Sequence, residues 1–232
     1  MTIAIMQPYF FPYLGYWQLL NAVDKFIILD DVTFIKQGYI NRNTILSHGK
    51  VQKINLQVEA ISSNKLILDH NLNKNSIWKS KLLKMIYQSY SKAKYFKNVF
   101  PLIEKCILFN ADNLSSYLEN QIVQIASFLN IDTAISRNSE VINENDFESQ
   151  NRIINICSRE LADVYLNASG GQELYNKEVF KRNGIKLKFI KMNDIQYTQF
   201  TNEFLPFLSI IDVMMFNSEE KIKKMLDNYT LI

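Results

Sequence analysis

Two prolines, Pro8 and Pro12, follow directly on a short apolar run from Thr2 to Met6. Proline fixes φ and has no N–H, so no regular helix or strand ladder passes through this stretch. The chain has only four prolines, so a pair of them this close marks a built turn rather than background composition. The run must leave a buried strand, make an irregular loop from Gln7, and return to regular structure near Gly15. Gly15 to Val23 reads as a helix and Lys25 to Leu29 as a second buried strand. Strand, loop, helix and strand of this length form a βαβ unit. Open α/β sheets bind ligands at the carboxyl ends of such strands.

The remainder fits that start. Arg42 to Leu46 and Val51 to Val58 read as strands around a turn at Ser47-His48-Gly49, with a weaker strand at Lys65 to Leu68. From Ser76 the apolar residues take helical spacing: Ile77, Trp78, Leu82, Leu83, Ile86, Tyr87 and Tyr90, then Val99, Leu102, Ile103, Cys106 and Ile107. Asp112 is the expected cap of a further helix. Alternation then resumes. Strands are expected at Thr133 to Ser136, Asp163 to Asn167 and Lys186 to Ile190. Helices are expected at Gln150 to Leu161, Leu174 to Asn183 and Ser218 to Asn228. The expected fold is α/β: a mostly parallel, Rossmann-like open sheet in one domain, 1–232, with a helical annex at about residues 76–130.

Composition narrows the function classes. With 47% hydrophobic and 21% charged residues, the chain is globular rather than disordered. A net charge of +3 does not call for nucleic acid. The eight lysines between Lys74 and Lys105 fill the gaps between apolar helix positions, which is the pattern of a wet face. No basic leader and no apolar run of membrane length is visible, so a cytoplasmic chain without a membrane span is expected. Cys106 and Cys157 sit in apolar helical patterns as buried thiols. His48 and His70 lie outside every promising motif, so Ser-His-Asp catalysis and a zinc site are both unexpected. Acid–base work then falls to Asp, Glu, Lys or Tyr.

Four constellations can carry chemistry. In the first, Gln7, Tyr9, Gly15 and Tyr16 belong to a loop with six aromatics between Tyr9 and Trp17. It reads as a ligand cradle under a helix N-terminus, or as an aromatic core cluster. The second is Asp30 and Asp31, which end the second strand and suit a ribose hydroxyl, Mg²⁺ or an amine, or else a simple turn. The third is Lys36, Asn41, Arg42 and Asn43, a candidate phosphate clamp whose alternative is a solvated strand start. The fourth is Asn167-Ala168-Ser169-Gly170-Gly171, with Tyr175 nearby. These glycines let backbone approach a ligand, or make a tight strand-to-helix turn. They match neither GxGxxG nor a P-loop.

The blocks Met6-Gln7-Pro8-Tyr9-Phe10-Phe11-Pro12-Tyr13-Leu14-Gly15-Tyr16, Asp24-Lys25-Phe26, Asp30-Asp31-Val32 and Ile40-Asn41-Arg42-Asn43 resemble the WbqC-like family. The likeness extends through Lys94-Tyr95-Phe96, Ser169-Gly170-Gly171 and Leu208-Ser209-Ile210-Ile211-Asp212. Lys94 stands where the family pattern leads one to expect proline. The resemblance implies a role in bacterial surface-polysaccharide (O-antigen) synthesis and a glycyl or other acyl transfer to an amino sugar. A weaker architectural likeness is to the nucleotidylyltransferase superfamily that includes pantothenate synthetase. Tyr16 stands at the second histidine of that signature and the first is absent, so histidine-assisted chemistry is not implied.

The resulting expectation is an amide-forming acyl or aminoacyl transferase. Its partners would be a nucleotide-linked amino sugar and a small acyl or aminoacyl donor. ATP with Mg²⁺ is the activation implied by the second likeness. Asp30, Asp31 and Lys36 are the catalytic candidates, and no metal-ligand set is expected. A homodimer is compatible with the sequence. The alternative is a non-catalytic nucleotide-sugar or glycan-binding module.

Overall fold

A computed structural model describes residues 1–140, 149–201 and 203–232. Eight strands are named: β1 (Thr2–Met6), β2 (Lys25–Ile28), β3 (Arg42–Ser47), β4 (Lys50–Asn55), β5 (Ala134–Arg137), β6 (Val164–Ala168), β7 (Lys186–Met192) and β8 (Tyr229–Leu231). The helices are α1 (Leu14–Asn21), α2 (Ile77–Tyr90), α3 (Phe96–Leu108), α4 (Leu114–Phe128), α5 (Ser149–Arg159), α6 (Lys177–Arg182), α7 (Ile210–Phe216) and α8 (Glu219–Leu226).

Six strands form one sheet in the order β5-β2-β1-β6-β7-β8. All neighbours are parallel except β8, which runs antiparallel to β7. This is a Rossmann-like open α/β arrangement. Alternation along the strands serves two cores. Ala4, Phe26, Ile28, Leu166 and Ile190 join Trp17, Leu19 and Leu20 of α1 and the apolar faces of α2, α3, α4, α7 and α8. Ile3, Ile5, Ile27, Tyr165, Leu187 and Phe189 join Ile153, Ile156 and Cys157 of α5 and Phe180 of α6. The chain runs outward from β1 to β2 and β5, then returns to place β6 on the other side of β1. The direction of winding therefore switches between β1 and β6.

The β3–β4 hairpin stands outside this sheet. Its turn residues His48 and Gly49 both take positive φ, 49° and 76°, as a two-residue primed turn requires. The stretch expected as a strand at Lys65 to Leu68 is instead a single bridge, Thr33 to Leu66, followed by a 3₁₀ turn at Ile67–Asp69. Asn113, not Asp112, caps α4: its side chain accepts from Ser116 N. The helix expected from Leu174 begins at Lys177, because the Asn176 side chain accepts from Glu178 N and Val179 N. Ser169–Leu174 is a separate 3₁₀ stretch.

Candidate functional site

The Gln7–Tyr13 loop is held by its own backbone groups. Phe10 N donates to Tyr39 O at 3.0 Å and Ile210 N to Pro12 O at 3.0 Å. Phe11 takes φ of +42°, a left-handed conformation rare for a bulky residue. Three side chains hold it there. Asn43 Nδ2 donates to Phe10 O (2.9 Å) and Phe11 O (2.7 Å), Ser209 Oγ donates to Phe11 O (2.8 Å), and Phe11 N donates to Gln121 Oε1 (3.1 Å). Trp17 Nε1 closes the loop onto Pro12 O at 3.0 Å. Phe10 and Phe11 are fully buried, while Tyr9 and Tyr13 turn towards the sheet end.

A cavity of about 440 Å³ opens at the switch between β1 and β6. Met6 and Gln7 end one strand and Asn167 and Ala168 the other. Gly170, Gly171 and Tyr175 follow β6, and Tyr9, Tyr13, Tyr16 and Tyr39 close the opposite wall. No Asp, Glu, His, Lys, Arg or Cys of the described residues lines it. Five tyrosines give flat polarizable walls with hydroxyl edges, suited to a planar base or a sugar ring. The Gln7 side chain makes no hydrogen bond among the described residues, so its amide is free to read a ligand. Burial raises the pKa of Tyr9, Tyr13, Tyr16 and Tyr175 above the usual phenol value, so these hydroxyls stay protonated donors at neutral pH.

Two glycines shape the walls. A Cβ on Gly15 would stand 2.6 Å from Tyr13 Cε2, so the Tyr13 ring lies across the start of α1 only because residue 15 has no side chain. A Cβ on Gly171 would stand 2.8 Å from Asn167 Nδ2. Two further chambers adjoin the first. One, about 270 Å³, lies between Tyr9, Pro12, Tyr13, Tyr39, Asn43 and Phe207. The other, about 420 Å³, extends over the end of β7. Tyr13 walls all three.

Of the residues singled out in the sequence, Gln7, Tyr9, Gly15, Tyr16, Gly170, Gly171 and Tyr175 meet in the switch cavity. The others stand elsewhere. Asp30 is fully buried and accepts from Ser115 Oγ (2.6 Å) and Ser139 Oγ (2.7 Å). Asp31 is 1% exposed, pairs with Arg152, and accepts from Asn138 Nδ2 at 2.8 Å. Neither lines a chamber. Arg42 donates to the carbonyls of Gln37 and Gly38, bracing the loop before it. Asn41 Nδ2 reaches Leu56 O at 3.4 Å, Asn43 fastens the proline loop, and Lys36 is exposed. The phosphate clamp expected at 36–43 is thus not assembled: its amides and Arg42 satisfy backbone carbonyls instead. His70 is buried with Nδ1 on Leu66 O (2.7 Å) and Nε2 accepting from Ser62 N (3.2 Å), so both ring nitrogens are engaged by backbone.

Tyr13 and Asn167, which stand in the first and fourth constellations, also line the cavity, and Tyr39 is the lining tyrosine that sequence reasoning missed. Tyr39 had no readable signal, because only the folded loop brings it over the crevice. Among the described residues no group of three His, Cys, Asp or Glu side chains gathers for a metal. No described helix is long and apolar enough to cross a membrane.

No solved structure matches the chain. It is 25% identical over 218 residues to the uncharacterized protein Rv1507c of Mycobacterium tuberculosis, covering 91% of this chain and 92% of that one. The sequence model of the WbqC-like protein family matches residues 7–224, which take in all of the cavity lining except Ile5 and Met6. The chain belongs to the WbqC-like protein family.

Proposed function

We propose that the chain binds a nucleotide-linked amino sugar in the switch cavity and acts there as an amide-forming acyl or aminoacyl transferase in surface-polysaccharide synthesis. The observation that carries the binding half is the uncharged, five-tyrosine cavity at the switch between β1 and β6. Its walls suit stacking on a base or sugar, and the free Gln7 amide can donate and accept at one edge. Phosphates would meet backbone N–H groups of the α1 start and the 169–171 turn rather than Lys or Arg side chains. The acyl-transfer half rests on the family likeness.

The chemistry asks little of side chains. The neutral amine attacks the carbonyl carbon of an acyl-adenylate, an N–C bond forms, and the bond from carbon to the phosphate oxygen breaks. The surplus amine proton leaves with the departing phosphate or to water. Backbone N–H groups suffice to stabilise the intermediate oxyanion. Incubation of an amino-sugar nucleotide with glycine and ATP, read by mass spectrometry, should yield the glycylated nucleotide sugar. No product across a panel of acyl donors would sink the transferase.

One observation favours a second reading. Among the described residues, no side chain that titrates near neutral pH lines the switch cavity. A non-catalytic nucleotide-sugar-binding module would have that lining. Tight nucleotide-sugar binding with no turnover under any donor would select it.

A further inference from the structure

We infer that the 420 Å³ chamber beside the switch cavity is the subsite for the sugar's ammonium group, and that Asp194 recognises it. This inference rests on the nucleotide-sugar reading and deepens it.

The chamber shares Tyr13, Gly15, Ala168 and Gly170 with the switch cavity, so a ligand stacked in one reaches the other without crossing the α1 helix. Its far wall is the segment after β7, with Tyr197, Phe204 and Phe207. Asp194 is the one carboxylate among the described residues lining any of the three chambers. It makes no ion pair in the described structure, and its Oδ2 accepts only a long 3.4 Å bond from Gln196 Nε2. Lys191 also lines the chamber. Ile190 and Met192 pack into the α1-side core, so strand alternation turns the Lys191 side chain to the opposite face. Its contribution to the chamber is then backbone.

An exposed carboxylate in a chamber that aromatic rings also line is a recognition set for a primary ammonium, which can pair with the carboxylate and be attracted by ring faces. An acylated amine loses both attractions. The chamber would therefore prefer the unreacted substrate and favour release of the amide. It also supplies the charge recognition that Asp30 and Asp31, enclosed by Ser115, Ser139, Asn138 and Arg152, are not positioned to give.

The test is calorimetric titration at about pH 6, where an amine is protonated, with UMP, UDP-glucosamine and UDP-N-acetylglucosamine as probes. The wild-type chain should bind the free amine about five-fold tighter than the acetylated sugar, the scale of one partly exposed ion pair. Asp194→Asn should erase that ratio and Asp194→Glu should retain it. Thermal melts report whether each variant is folded. Equal binding of both sugars by the wild type, or a ratio that survives in Asp194→Asn, overturns the inference while leaving the nucleotide site standing. A wild-type chain that binds none of the three probes overturns the proposed function itself, and this subsite with it.

Discussion

Replacing Asn43 by alanine separates a structural from a ligand-binding role at the proline loop. Asn43 is 3% exposed, and its amide serves three backbone groups: Phe10 O, Phe11 O and Thr44 N. In the variant, Phe11 O keeps the Ser209 hydroxyl at 2.8 Å, while Phe10 O and Thr44 N lose this partner. Each orphaned buried group costs about 1–3 kcal/mol, and partial relaxation brings the expected sum to about 3 kcal/mol. For a domain of this size that is a fall in Tm of about 6–12 °C. In urea the midpoint should fall with the slope unchanged. Asn43→Asp should fall at least as far, because it sets a carboxylate against two carbonyl oxygens. A Tm within about 1 °C of wild type, coupled to a lost nucleotide affinity, would refute this reasoning and restore Asn43 as a phosphate ligand.

Gly15→Ala should leave stability unchanged or raise it by about 0.5–1 kcal/mol, since alanine favours a helix. The new methyl displaces the Tyr13 ring from its place over residue 15, so nucleotide affinity should drop about ten-fold, the scale of one aromatic contact. Calorimetry and a melt on the same sample check both halves. Asp31→Ala removes the partner of Arg152 from an ion pair whose side chains are 1% and 14% exposed, and should cost about 3 kcal/mol in chemical unfolding. Burial pushes the thiols of Cys106 and Cys157 up to about 12, so Ellman's reagent at about pH 8 should label the folded chain slowly and both residues once it is unfolded. Because these pKa values rise on folding, their contribution is fully present below the free-thiol value of 9.0 and is lost as pH climbs from there towards about 12. A Cys106→Ala, Cys157→Ala variant should show a shallower loss of stability in that window.

The parts of the fold that were legible in the sequence share a local cause. β1, the proline loop, α1 and β2 follow from two prolines and two short apolar runs. The Ser47-His48-Gly49 turn follows from glycine at a position needing positive φ. α7 escaped notice because Ile210, Ile211, Val213, Met214 and Met215 are buried all round and leave no periodicity to read. β8 escaped because three residues at a sheet edge are set by pairing with β7, not by their own pattern. At the site, residues at the ends of β1 and β6 were readable because those two strands flank the point where the winding switches. Asp30, Arg42 and Asn43 were not, because nothing local tells a polar side chain whether to face a ligand or an unpaired carbonyl. Asn43 turned inward to hold Phe11 in its left-handed conformation, a demand that exists only in the folded loop.

The place where a nucleotide binds decides between the switch cavity and every other surface. A crystal structure of the chain soaked with UDP-N-acetylglucosamine should place the nucleoside against Gln7, Tyr9 and Tyr16, between the ends of β1 and β6, with the sugar directed past Gly170. Ligand bound beside Asp30 and Asp31, or along the lysine-rich face of α2 and α3, with the switch cavity left empty, would contradict that placement.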